Sequence, residues 1–400
     1  MKKIKIALIT QDPRNGGGVR AVLDFAYQTL LSYGLEPTVL AYAPYRFERN
    51  VSCTLANGLT TPRLGKVEKE IDGLKTVLLG AYFPELEINR YRSNHLWEAE
   101  LKKHQQFLII GGSAIYGYAA FRHAPKYLTW TATTIFDDRI DALTSSKNAI
   151  YPVHKFILKR LQHYENQVMR RSSLMLFQSK YAEDSTKRAG IPITRQKFLP
   201  YAIDTESFFP LQEKPSEAFI LMVGRFNDQR KNVNLLFEAY RKAKQKMPNL
   251  PKLKLAGAEP SDATREVVRQ MNLEGDVVFC GEVSWDELRR LYREATIFVL
   301  PSWQEGLGIV ILEAMASGTP VISTRCGGPE IIIEHEKNGF FCENNNADDM
   351  ANKIIRLVSN KALQEKFKEE GLHTIAQRFS KQAVGRELIN SLKEVYPETC

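Results

Sequence analysis

The chain lacks the features that mark exported, disulfide-stapled and membrane-spanning proteins. Its five cysteines (Cys53, Cys280, Cys326, Cys342 and Cys400) are scattered, odd in number and without a C-x-x-C pair, so they read as reduced thiols, with Cys280 packing into a core. No apolar run approaches the roughly 20 residues of a membrane-spanning helix. Met1-Lys2-Lys3 and the short apolar run over residues 4–10 lead straight into a glycine-rich turn, which fits a buried first strand better than an export signal. There is no internal repeat and no low-complexity tract. The expected location is the cytoplasm, with peripheral contact at the inner face of a membrane and no passage through it.

What is present is ordinary for a globular protein: 44% hydrophobic and 25% charged residues. A length of 400 residues exceeds one average domain. The net charge of +9 favours partners that carry phosphate, namely nucleic acid, anionic lipid or a nucleotide ligand, although a solvated basic surface gives the same count. Lys and Arg are spread out, with no aromatic-basic recognition motif, which argues against nucleic acid.

Apolar runs of strand length alternate with helical spacing almost from end to end. Strands are predicted at 4–10, 38–41, 74–79, 107–110, 127–131 and 174–178, then at 219–223, 252–256, 277–279, 297–300 and 321–324. This alternation predicts α/β architecture with two doubly wound parallel sheets. The pattern breaks over 200–217, where Pro210 and Glu213-Lys214-Pro215-Ser216 read as a linker. The expected domains are residues 1–205 and 206–380, with a last helix at about 381–400.

Three motifs carry chemistry. Asn15-Gly16-Gly17-Gly18 follows the first strand and opens a helix. Its glycines suit either a tight turn or backbone contact with an anion at the helix N-terminus. Gly224-Arg225 ends a strand and is followed by Arg230-Lys231; two cations there can converge on a diphosphate or merely solvate a turn. The most telling stretch runs from Pro301 to Pro320. It places Glu305 and two glycines in a strand-to-helix loop and Glu313 in the second turn of the helix. A carboxylate at Glu305 can accept sugar hydroxyls, N–H groups from Gly306, Leu307, Gly308 and Ile309 can face phosphate, and Glu313 is placed for a ribose.

This layout resembles the family-4 retaining glycosyltransferases (group 1) of the GT-B fold. The matching residues are Gly16-Gly17-Gly18, Gly224-Arg225 with Lys231, Glu305-Gly306-Leu307-Gly308 with Glu313-Ala314, and Gly327-Gly328-Pro329-Glu330, together with the crossing segment Leu199 to Phe209-Pro210. The resemblance implies two Rossmann-like domains facing each other across a cleft, the first on the acceptor side and the second on the donor side, with the last helix packed back on the first domain. It further implies that Arg225 and Lys231 hold the diphosphate of a nucleotide-sugar donor, Glu305 contacts the donor sugar and Glu313 the ribose. Gly224, Gly17, Gly18, Glu282 and Val283 would lie close to the donor. Many family members carry a histidine after an N-terminal-domain strand; the corresponding stretch here, residues 128–134, has none. Trp130, Asp137 and Arg139 are the acceptor-side candidates, with helix capping or ion pairing as the competing reading of the two charged residues.

No D-x-D signature stands in a donor-site context, so neither metal nor other cofactor is expected. The acceptor is a glycan, a lipid-linked sugar or a small molecule. The basic amphipathic helix over 152–171 is the candidate for contact with an anionic membrane. Competing readings are a sugar phosphorylase or nucleotide-sugar epimerase on the same fold, and a catalytically silent binding module.

Overall fold

The computed structural model describes residues 3–15, 17–56, 64–144, 151–212, 217–226 and 228–399, and every run read as a strand is one. The chain forms two units. One holds the chain up to Pro200 and again from Gly385 onward; the other is Tyr201–Val384. The division thus falls five residues before the one read from the sequence, while the linker residues 213–216 lie outside the described residues.

The first unit is built on β1 (Lys5–Thr10), β2 (Glu36–Tyr42), β3 (Lys66–Ile71), β4 (Leu74–Leu79), β5 (Gln106–Gly111), β6 (Leu128–Thr131), β7 (Leu174–Phe177) and β8 (Gln196–Phe198). Its helices are α1 (Gly17–Ser32), α2 (His95–Leu101), α3 (Ile135–Thr144), α4 (Tyr151–Arg171) and α5 (Lys180–Arg188). The sheet order is β3-β4-β2-β1-β5-β6-β7-β8, parallel except for the β3–β4 hairpin. Ile6, Ala7, Leu8 and Ile9 are all fully buried, as expected of a central parallel strand covered on both faces. β3 is not among the strands read from the sequence. Its turn is Asp72-Gly73, both at positive φ (46° and 80°), the geometry a two-residue hairpin demands.

A buried carboxyl braces this unit. Glu165 of α4 accepts N–H groups from Ala114 (3.0 Å) and Ile135 (2.9 Å), and burial pushes its pKa up to about 8. The C-terminal segment is fastened to β5: the Phe107 amide donates to the Tyr396 hydroxyl at 3.1 Å, and Gln106 Nε2 donates to Thr399 Oγ1 at 2.9 Å.

The second unit is a six-stranded sheet of β9 (Phe219–Gly224), β10 (Lys252–Gly257), β11 (Val277–Gly281), β12 (Ile297–Leu300), β13 (Val321–Thr324) and β14 (Phe340–Cys342). All strands are parallel, in the order β11-β10-β9-β12-β13-β14. Helices α6 (Val233–Lys246), α7 (Asp262–Gln270), α8 (Trp285–Glu294), α9 (Ile309–Ala316), α10 (Ala347–Val358) and α11 (Lys361–Thr374) cover its two faces, and α12 (Lys381–Val395) carries the chain back to the first unit. One apolar cluster joins α6, α7 and α10 to the sheet, and another joins α8 and α9 to it.

Strand order decides where ligands can sit. From β9 the chain steps outward to β10 and β11, then returns to the other side of β9 as β12. The loops leaving β9 and β12 therefore diverge and open a crevice at the carboxyl ends of the strands. The first unit has the same reversal between β1 and β5.

Candidate functional site

The crevice between β9 and β12 is lined by the residues singled out in the sequence. Gly224 ends β9, and a single 3₁₀ turn over Gln229–Lys231 follows. Its last residue, Lys231, extends along Gly224: a Cβ added there would lie 3.7 Å from Lys231 Cδ. Lys231 Nζ bonds Glu305 Oε1 at 2.7 Å, and the two side chains are only 15% and 11% exposed. Residues 74 positions apart thus form one charge-assisted contact at the strand ends.

Glu305 is held from several directions. Ser302 Oγ donates to the same Oε1 at 2.6 Å, the Glu305 amide donates to Cys326 O at 2.8 Å, and Glu305 O accepts from the Gly328 amide at 3.0 Å. Glu330 closes the turn below, both its oxygens accepting the Gly327 amide. Gly328 has to be glycine, since a Cβ would come within 2.4 Å of the Leu307 backbone. Burial and the Glu305 carboxylate together push the Cys326 thiol up to about 12.

The loop then turns through Gly308 in the left-handed region (φ 81°) and enters α9. Among the described residues, the amides of Gly306, Leu307, Gly308 and Ile309 donate to nothing. Unpartnered N–H groups at a helix start are suited to an anion, and the helix dipole adds to the attraction. Leu307 anchors the loop in the apolar cluster beneath α9.

Glu313 sits one turn further in, 8% exposed, its Oε2 accepting the Tyr292 hydroxyl at 2.7 Å. Burial raises its pKa to about 7, the Tyr292 hydrogen bond holding it back from rising further, while Tyr292 itself is pushed well above its ordinary value. Arg225 is 72% exposed and held to Asp228 at 3.3 Å. Glu282 is exposed and Val283 half-buried, just past β11.

Sequence reasoning gave no role to Ser302 or Tyr292. Ser302 lies inside the motif, and its spacing from Glu305 was the available signal; Tyr292 pairs with a residue on another helix and left none. Among the described residues no three His, Cys, Asp or Glu side chains converge as a metal site requires.

The first-unit candidates are less concentrated. Gly17 and Gly18 begin α1, and Gly16 lies outside the described residues. Trp130 is a correction: it is fully buried in β6, with Nε1 donating to Leu199 O at 2.8 Å, and presents no surface to a ligand. Asp137 pairs with Arg188 and Arg139 with Glu87, the ion-pairing alternative for these charges, although Arg139 also lines a cavity in this unit.

Residues 204–374 match the family model for glycosyl transferases group 1, so the resemblance to group 1 holds over most of the second unit. An uncharacterized glycosyltransferase of Methanocaldococcus jannaschii is 34% identical over 178 residues, covering 44% of this chain and 45% of the relative. The lipopolysaccharide core biosynthesis glycosyltransferase LpsE of Rhizobium meliloti is 32% identical over 174 residues, 43% of this chain and 49% of its own length. The matched segments thus span about half of each of these relatives.

The solved structure of sucrose-phosphate synthase from Thermosynechococcus elongatus superposes with a TM-score of 0.69 at 18% identity, over 99% of this chain and 100% of that one. Anabaena HepE in complex with UDP and glucose gives 0.68 at 16% identity, over 98% and 100%. These likenesses cover the whole chain and bear out the GT-B fold class.

Proposed function

We propose that the protein is a retaining glycosyltransferase that moves a hexose-type sugar from a nucleotide-diphosphate sugar to an acceptor, without a metal ion. The observation that carries this reading is the Lys231–Glu305–Ser302 cluster beside the unpartnered amides at the start of α9. These observations support the reading because a cation, a carboxylate and unpartnered amides meet at one switch point.

In that reading the donor diphosphate lies against Lys231 and the 306–309 amides, with Arg225 leaving Asp228 to swing in from its exposed position. Positive charge fixed there stabilises the diphosphate as it leaves, the task a metal performs in other transferases. Glu305 orients the sugar through its hydroxyls, and the carboxyl of Glu313 takes the ribose. The acceptor attacks on the face from which the diphosphate departs, a diphosphate oxygen taking its proton. The bound UDP and glucose of HepE support a nucleoside diphosphate as the ligand class.

The acceptor is a glycan, a lipid-linked sugar or a small molecule. Contact with an anionic membrane is part of the proposal. Toward the N-terminal end of α4, Val153 (54%) and Phe156 (61%) are exposed, with Lys155, Lys159 and Arg160 on the same turns and the next.

The test is a panel of UDP-, GDP- and ADP-hexoses with candidate acceptors, read as release of free nucleoside diphosphate. Release that requires an acceptor and persists in EDTA is expected. Inverted product, a strict metal requirement, or conversion of the donor sugar with no acceptor present would overturn the reading. Glu305→Ala, with its circular dichroism unchanged, is expected to lose turnover.

A further inference from the structure

The first unit contains a cavity of about 660 Å³ beyond the carboxyl ends of its strands, at the reversal between β1 and β5. Its walls come from the segments after β1, β2, β4 and β5, with Arg139 of α3. A switch-point position of this kind is where open α/β sheets take ligands, and the volume suits a small molecule of one or two rings.

The charges around it are unevenly matched. Asp12 is held by Arg14 at 2.6 Å, and Glu87 pairs with Arg139. Arg46 and Arg90 have no carboxylate partner among the described residues. Arg46 donates to Asn15 Oδ1 and lies over the Phe47 ring, and Arg90 Nε donates to the Pro84 carbonyl at 2.7 Å. The remaining lining carboxylate, Glu85, accepts the Leu55 amide with one oxygen. Two guanidinium groups therefore stand against one carboxylate.

The other walls are aromatic. Tyr42, Tyr45, Tyr91, Tyr116 and Trp97 line the cavity, and Tyr45 is half exposed. Such rings offer flat apolar faces beside polar edges, which match the C–H face and hydroxyl rim of a pyranose. Thr10, at the end of β1, contributes to the floor of the cavity.

We infer that this cavity binds a saccharide bearing an anionic group, carboxylate or phosphate, with Arg46 and Arg90 gripping the anion and the aromatic walls packing on the ring. Its role as the acceptor rests on the transferase reading; the binding chemistry does not.

The experiment is a set of ligand-observed NMR titrations of the full chain, without donor, using glucose, glucose 6-phosphate, glucuronate and inorganic phosphate. At least one of the two anionic sugars is expected to bind at least about tenfold more tightly than both glucose and inorganic phosphate. Whichever anionic sugar leads identifies the group. Arg46→Gln and Arg90→Gln, both at exposed positions, are expected to reduce that preference, and together to abolish it while leaving glucose binding unchanged. No preference over glucose, a preference that survives the double substitution, or inorganic phosphate binding as tightly as the sugars would overturn the inference. A chain that binds anionic sugars here yet transfers no hexose would sink the transferase reading and leave this site standing. Transfer to neutral acceptors with no anionic preference would do the reverse.

Discussion

Glu313 ties stability to pH in a way that can be measured apart from catalysis. Its ordinary pKa is 4.5 and its folded-state value is about 7, raised by burial. Between those values the folded chain holds a proton that the unfolded chain has released. Stability from this group is therefore complete below 4.5 and is lost as pH rises toward 7, after which it stays level. That interval amounts to about 3 kcal/mol, an order-of-magnitude figure for a group this buried. Glu313→Gln keeps an oxygen that can accept the Tyr292 hydroxyl but removes the titration. Calorimetric melting at pH 5 and pH 8 should show the wild type losing about 5–10 °C more than the variant, for a unit of this size. Comparing the pH dependence of the two proteins, rather than their absolute melting points, cancels any packing cost of the amide. It also cancels the parallel loss from Glu165, which is buried in the first unit and raised to about 8. Parallel pH profiles for wild type and Glu313→Gln would refute the assignment.

Three further outcomes follow from the geometry. Lys231→Met leaves Glu305 with Ser302 as its remaining side-chain donor; for a pair this enclosed the cost is on the order of 2 kcal/mol, between the exposed and fully buried limits. Adding Glu305→Gln should recover most of that in a melting experiment while donor binding stays absent, and no recovery would contradict the pairing. Gly328→Ala drives a Cβ into the Leu307 backbone and should cost about 1–3 kcal/mol with weakened donor binding; an unchanged melting point would mean that the loop yields. For α4, co-sedimentation with phosphatidylserine vesicles, but not with neutral ones, should fall when Phe156 is replaced by Ala; equal binding to both would remove the membrane contact.

The second unit was largely legible because its information is local. Buried parallel strands such as β9 and β12 are unbroken apolar runs, and the strand-loop-helix around Glu305 lies within twenty residues of one motif. The family resemblance also implied that Lys231 and Glu305 serve one site, but their contact depends on β9 and β12 being neighbours. What was not legible depends on long-range partners. Trp130 looked like a ligand platform because nothing near it reveals that its N–H is satisfied by Leu199, 69 residues on. β3 has only Val67 and Ile71 as apolar residues among charged ones, so period-two alternation was faint, and Asp72-Gly73 was its one strong signal. The first-unit cavity draws on segments from Thr10 to Arg139, and no sequence pattern announces that they converge.

The most direct test of the central claim is ligand-induced stabilisation of the full chain. UDP-, GDP- and ADP-sugars would be added to the wild type and to the Lys231→Met/Glu305→Gln double variant. Ligand at about 100 times its dissociation constant stabilises the native state by about 2.7 kcal/mol, enough to read as a melting shift of several degrees. At least one nucleotide-sugar should raise the wild-type melting temperature by that much and leave the double variant unmoved. An equal shift in both proteins, or none with any of the three, would contradict a donor site built on Lys231 and Glu305.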